Sequence, residues 1–271
     1  MDPDFRRGDM EEGRAFPLDM GSILHFRGSL KFDIVPADKR PRIGHRCDSR
    51  IRIACMVTLS PQMLLRAYAI GVFPMAESRD DPEVYWIDPE LRGVLPLDSF
   101  HMPRRLKRTL RQRPFEVRCD SDFEGVIKGC AAPGPGRRDT WINSQIFLLN
   151  RQLFQMGFAH TIECWQDGRL VGGLYGIAIG GAFFGESMFS TARDASKVAL
   201  VHLVVRLKRA GFLLLDTQFV TPHLQRFGAL EISRPEYRQR LARAIAAPAR
   251  FQGELSDAEL EAFLQSSTQT S

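Results

Sequence analysis

The chain of 271 residues is poor in the residues from which metal and redox sites are built, with five cysteines and six histidines. Cys47, Cys55, Cys119, Cys130 and Cys164 are scattered and show no CxxC or Cys/His spacing, which excludes the common zinc and paired-thiol motifs. Reduced thiols, and so a cytoplasmic location and no metal, are expected. Long hydrophobic runs are also missing. The longest uncharged apolar stretch, 170–185, is short for a bilayer span and is interrupted by glycines, so it reads as a pair of strands. Residues 1–30 carry acids and arginines where a secretion signal needs an unbroken apolar stretch.

What is present suffices for a real core. The chain is 44% hydrophobic and 25% charged, with a net charge of +5, which excludes disorder throughout and leaves room for a polyanionic partner. Residues 1–55 mix charge, Gly and Pro without periodicity and are expected to form a disordered or non-native extension that a start at Met56 would remove. Order begins at LSPQMLLRAYAIGVFP, where Ser60 can cap a helix, Pro61 suits its first position, and Gly71 and Pro74 stop it. Short strands over 84–87 and 93–95, separated by a turn at Asp88 and Pro89, complete a small N-terminal α+β unit over 56–115. The helix in HMPRRLKRTLRQRPF carries Arg104, Arg105, Lys107 and Arg108, with only Leu106 and Leu110 as apolar anchors. No acid within it offsets those bases at helical spacing, so phosphate contact is as good a reading as a solvated face.

From Trp141 the pattern is more regular. A helix capped by Asn143 runs over 144–156, three strands follow over 159–165, 169–178 and through Phe183 and Phe184, and Asp194 can cap a long helix ending at Gly211. A buried strand over 213–220, a helical turn near Leu224, a last strand over 230–232 and a helix opened by the Ser233/Glu236 capping box close the unit. The tail from 248 carries one more such box at Ser256 and Glu259. The order of helix, three-strand meander, long helix, strand and helix is that of acyltransferase domains of the N-acetyltransferase type. The expected fold is thus α+β: such a domain over 116–247, with a mainly antiparallel mixed sheet, beside the small N-terminal unit and a tail over 248–271.

The segments YAIGVFPM, YWIDPELRGVLPLDSFHMPRRLKR, TWI, LVGGLYGIAIGGAFFGESMFS, DASKVAL and LLDTQFVTPHLQRFGALEISRPEY together resemble the leucyl/phenylalanyl-tRNA:protein transferases over about residues 58–245. GESMFS followed by D-x-Q is the specific part. The resemblance implies transfer of Leu, Phe or Met from aminoacyl-tRNA to proteins beginning with Arg or Lys, marking them for degradation through the N-end pathway. It implies no cofactor, no membrane and a monomer. The chain agrees in lacking a coenzyme A pyrophosphate loop where its long helix opens, at 194–197.

An aminoacyl ester is already activated, so amide formation chiefly requires positioning a neutral amine and managing one proton. Asp216 and Gln218 are two apart on a predicted strand, so their side chains are expected on one face, at one site. By resemblance they are the catalytic pair. An amide oxygen is a weak base, so Gln218 is expected to orient the amine while Asp216 supplies negative field. The resemblance further implies that Glu186 contacts the α-amino group of the transferred residue, and that Leu174, Leu200, Leu203, Leu207 and Leu215 line its pocket. It also sets Trp86 and Trp141 near the substrate end, to stack on the terminal adenosine or wall the pocket, with a place in the buried aromatic core as the equal rival. An acidic recess for the acceptor's basic residue would draw on Asp216 and Glu186. The rival readings are an acyl-CoA N-acetyltransferase, a non-catalytic tRNA-binding protein, and leucyl transfer onto Asp or Glu N-termini.

Overall fold

The computed structural model describes residues 59–134 and 138–266, and before them only the backbones of two short strands, β1 (Asp33–Val35) and β2 (Arg50–Arg52). The rest of the expected extension lies outside the described residues. Helix α1 (Pro61–Ala69) forms as its caps dictate, with Ser60 accepting from the Met63 amide at 3.3 Å. Strands β3 (Phe73–Met75) and β4 (Tyr85–Ile87) pair antiparallel, and β2 adds to β4 to give a four-stranded sheet in the order β1-β2-β4-β3.

The second sheet has seven strands. Besides β5 (Leu91–Val94) they are β6 (Glu116–Cys119), β7 (Ala159–Gln166), β8 (Arg169–Ile179), β9 (Ala182–Ser190), β10 (Leu214–Gln218) and β11 (Leu230–Ser233), in the order β11-β5-β10-β9-β8-β7-β6. The chain is therefore a mixed α+β protein with one large mixed sheet. The strands over 84–87 and 93–95 were expected to flank one turn; instead β4 and β5 belong to different sheets. The Asp88 carboxylate between them is held by Arg234 at 3.1 Å and Arg238 at 2.8 Å.

Neighbours in the large sheet run antiparallel except β9 and β10, which are parallel because helix α5 (Ala195–Arg209) crosses between them. The inward stripe of α5, including Val198, Leu200, Val201, Leu203, Val204 and Leu207, is buried against the sheet. Its start differs from expectation. Asp194 adopts a left-handed backbone (φ 67°) and makes no side-chain cap, its carboxylate being drawn to Lys197 instead. Helices α2 (Arg104–Gln112), α4 (Ser144–Gln155), α6 (Pro222–Gln225), α7 (Arg234–Ala246) and α8 (Asp257–Ser266) stand where their caps and stripes put them. The tail box is fully reciprocal, with Ser256 N–H donating to Glu259 at 2.8 Å and Glu259 N–H to Ser256 Oγ at 3.3 Å. Leu260 and Leu264 fix α8 into the main core.

Five elements had no clear signal: β1 and β2, which fall in the segment expected to form a disordered extension, β3, β6 and helix α3 (Phe123–Ala131). Buried Glu163 on β7 accepts from the Ser121 and Asp122 amides at 2.8 and 2.9 Å and so fixes the turn between them. No helix among the described residues is long and apolar enough to cross a membrane.

Candidate active site

The site arises where the parallel strands β9 and β10 separate. β9 and β10 are in register at Leu214/Ala182, Leu215/Phe183 and Asp216/Phe184. Beyond this β9 continues along β8, while β10 bulges against β5, with Asp216 opposite Val94 and Gln218 opposite Gly93. Gly93 is required there, since a Cβ would stand 2.6 Å from the backbone carbonyl carbon of Phe219. The parting strands open a cleft of about 380 Å³. Gly185, Glu186, Ser187 and Met188 line one side, Thr217, Gln218 and Phe219 another, Leu200 and Leu203 of α5 the floor, and Phe73, Met75 and Trp141 the remaining wall.

The bulge overturns the expectation that Asp216 and Gln218 share a face. Gln218 is in the left-handed region (φ 56°), a conformation that costs a non-glycine residue about 1 kcal/mol or more and is characteristic of functional sites. This turns its side chain to the cleft while Asp216 stays sealed in the interior, fully buried. There Asp216 receives Arg92 Nε and Nη2 at 2.9 and 2.6 Å, the Tyr237 hydroxyl at 2.6 Å and the Gln218 amide N–H at 2.8 Å. Arg92 in turn lies between the rings of Phe73 and Tyr237, 4.4 and 4.6 Å from their centroids, and donates to the Gly71 carbonyl at 2.9 Å. Burial acts against its charge, but the Asp216 carboxylate outweighs that and holds the guanidinium above its ordinary value. Neither Arg92 nor Tyr237 was singled out in the sequence, although an arginine inside the apolar strand LRGVLPL demands a buried counter-charge.

Glu186 faces Gln218, whose Nε2 lies 3.4 Å from Glu186 Oε1. Removal from water lifts the Glu186 carboxyl to about 8, the Asp216 charge adding to this against the opposing effects of Tyr68 and Arg92. Glu186 is thus largely neutral at pH 7 and the Asp216 carboxylate is ion-paired with Arg92, so in the free protein this pair presents no uncompensated negative charge to a basic side chain. Between pH 4.5 and about 8 the unfolded chain releases a proton that the folded chain keeps. The group's contribution therefore favours folding fully below pH 4.5 and is lost as the pH rises to about 8. A shift of this size represents about 5 kcal/mol, but Glu186 is only half-buried and solvent screens much of it, so Glu186→Gln is expected to gain on the parent through that window by about 1 to 2 kcal/mol, or a few °C in thermal midpoint. Melts at about pH 4 and about pH 9 check this; a constant offset would show that the carboxyl is well solvated.

The expected pocket residues divide. Leu174, Leu200, Leu203, Leu215 and Trp141 line the cleft with Glu186 and Gln218. Leu207 lies one turn beyond Leu203 and is fully buried in the core, and Trp86 is buried at 2% exposure within the small sheet, so neither reaches the cleft. Met188 and His223 do line it and were missed. On α2, Arg104, Arg105 and Arg108 are exposed and Lys107 is half-buried. Arg111 and Arg113 on the same flank pair with Glu261 and Asp257 of α8 at 3.2 and 2.6 Å, so distant acids offset part of the charge that no acid within the helix does.

With this geometry in place, comparison with known proteins is decisive. The family model described as leucyl/phenylalanyl-tRNA protein transferase matches residues 94–242, and that of its N-terminal domain matches residues 58–90. The chain belongs to this family. It is 60% identical over 196 residues to the leucyl/phenylalanyl-tRNA–protein transferase of Paramagnetospirillum magneticum, a match that covers 72% of this chain and 94% of the relative. The proteins of the same name from Phenylobacterium zucineum and Caulobacter vibrioides are each 61% identical, over 72% and 70% of this chain and 89% and 88% of theirs. Among solved structures, a C-terminal domain of a putative lysylphosphatidylglycerol synthetase from Agrobacterium fabrum aligns over 78% of this chain and 70% of that one, at 13% identity and a TM-score of 0.29. The family's matched span encloses the whole cleft, from Phe73 to Leu224.

Proposed function

We propose that the chain transfers a leucyl, phenylalanyl or methionyl group from aminoacyl-tRNA to the α-amino group of proteins beginning with Arg or Lys. The observation that carries this reading is the apolar cleft of about 380 Å³ bordered by Gln218 and Glu186, in a member of this family. Leu174, Leu200, Leu203, Leu215 and Met188 give the donor side chain an apolar seat, where each methylene is worth about 1 to 3 kcal/mol in selection. Trp141 supplies a flat wall for the terminal adenosine. Glu186 binds the donor α-amino group, whose arriving charge draws the carboxyl back toward ionisation. Gln218 orients the attacking amine. Asp216 acts at one remove, as a positioning residue that holds the Gln218 backbone in its left-handed turn. Because the cleft is apolar, the acceptor's Arg or Lys side chain is read outside it.

The N-acetyltransferase type of fold belongs to the same reading, supported by the order of meander, α5, β10 and α7 and by the splayed parallel pair. So does action as a monomer in the cytoplasm, without a cofactor. The test is transfer of labelled leucine from Leu-tRNA to peptides that differ only at their first residue. Label on Arg and Lys peptides alone is expected. Acetyl transfer from acetyl-CoA, or label on Asp or Glu peptides, would replace this reading with its rivals. For tRNA phosphate contact, Arg104→Ala with Arg108→Ala is expected to weaken tRNA binding and reduce the slope of log affinity against log salt by about 1 to 2. An identical slope would remove α2 from the interface.

A further inference from the structure

Amide formation from an ester leaves one proton to be moved, from the attacking nitrogen to the departing ribose oxygen. Three titratable side chains line the cleft among the described residues: Tyr175, Glu186 and His223. Burial drives the Tyr175 hydroxyl well above its ordinary range, so it does not exchange a proton near neutrality. Glu186 holds its own proton at pH 7 in the free protein, and once the donor is bound its carboxylate is engaged by the donor α-ammonium group. The Gln218 amide is too weak a base, and Asp216 is sealed behind Arg92 and Tyr237.

His223 is different. It sits in the first turn of α6, which Thr221 caps by accepting from the Leu224 amide at 3.3 Å. Its ring meets the edge of Phe227 with centroids 5.4 Å apart at 66°. Its Nε2 is buried and has no hydrogen-bond partner among the described residues. Leaving a buried polar nitrogen unpaired costs about 1 to 3 kcal/mol, and such groups call for an explanation in ligand or mechanism.

We propose that His223 carries the proton of the transfer. This deepens the reading given above and rests on it. The neutral α-amine of the acceptor forms the new C–N bond at the ester carbonyl. One of its protons passes to His223 Nε2, the bond from carbonyl carbon to ribose oxygen breaks, and the imidazolium returns the proton to that oxygen. The products are an amide and a free ribose hydroxyl, with no redox change. The role requires an imidazole that is unprotonated at rest. Desolvation lowers the His223 pKa, Lys197 of α5 and Arg226 at the C-cap of α6 act in the same sense, and Asp194 opposes them, so the ring is neutral at pH 7.

Single-turnover transfer from saturating Leu-tRNA to an Arg-starting peptide tests the role, with the full chain, His223→Ala and His223→Asn. Both variants are expected to lose about 100-fold or more in rate at saturation, with Leu-tRNA affinity changed only a few-fold. Added imidazoles are expected to restore His223→Ala, more so as their basicity rises. An unchanged rate, a loss confined to affinity, or full activity in His223→Asn, whose amide donates but does not take a proton, overturns the assignment. His223→Asn keeps a polar side chain, so it decides the matter even if His223→Ala fails to fold. A parent chain that labels no peptide would instead defeat the underlying reading, a result distinct from a parent and variants that are equally active.

Discussion

Arg92→Met should lower the stability of the protein by about 3 to 5 kcal/mol, because it leaves Asp216 charged and unpaired in a site closed to bulk solvent. Asp216 is at 0% exposure and retains only the Tyr237 hydroxyl and the Gln218 amide once the guanidinium is gone. Asp216→Asn alone should also destabilise, since it leaves the Arg92 charge in place. The combined variant should be more stable than the sum of the two losses predicts, by about 1 to 3 kcal/mol, because neither charge then remains. Urea titrations of the four proteins measure the coupling. Strict additivity would mean that the pair is solvated or that other charges compensate it. Transfer should not recover with stability in the double variant, because without Arg92 the side chain at 216 is no longer fixed where it holds the Gln218 amide.

Gln218→Gly should separate activity from stability in the opposite direction. Glycine accepts the left-handed backbone at 218 without strain, so the folded protein should lose little stability or gain up to about 1 kcal/mol, the relief being partly offset by greater freedom in the unfolded chain. Transfer should nevertheless fall by about 100 to 1,000-fold, the usual cost of losing one oriented polar group in a preorganised site. Gln218→Ala should lose as much activity while keeping the strain. Thermal melts and single-turnover rates on both variants provide the comparison; a glycine variant that retains full transfer would remove the side chain from the chemistry.

Local chemistry made much of the fold legible. Ser60, Asn143 and Ser233 all accept from an amide of the first helical turn of the helix they open. The strands read over 159–165, 169–178 and through Phe183 and Phe184 stand as the antiparallel meander β7, β8 and β9. What remained hidden was decided by contacts distant in sequence. Helix α3 contains Gly125 and Gly129, which lower its intrinsic propensity, yet a Cβ at Gly129 would lie 2.7 Å from the Phe189 ring, so packing rather than propensity selects it. Period-two reasoning put Asp216 beside Gln218, but one extra residue at the bulge reverses which face each presents. The leucine stripe of α5 looked uniform, and only the splay of β9 from β10 determines that Leu200 and Leu203 meet the cleft while Leu207 does not. Trp86 was legible as an aromatic with two possible homes; pairing of β4 with β2 and β3 gives it the core.

Strand β5 sits between β10 and β11, and its Arg92 meets a partner 124 positions later in the chain. During synthesis that arginine leaves the ribosome long before the carboxylate that neutralises it, and the Tyr237 phenol that completes the clasp comes later still. A nascent chain cut short of this point would carry most of the amino acids of the cleft and none of its order, with the edges of unpaired strands open to aggregation. Competence in this enzyme is thus withheld until synthesis has passed Tyr237.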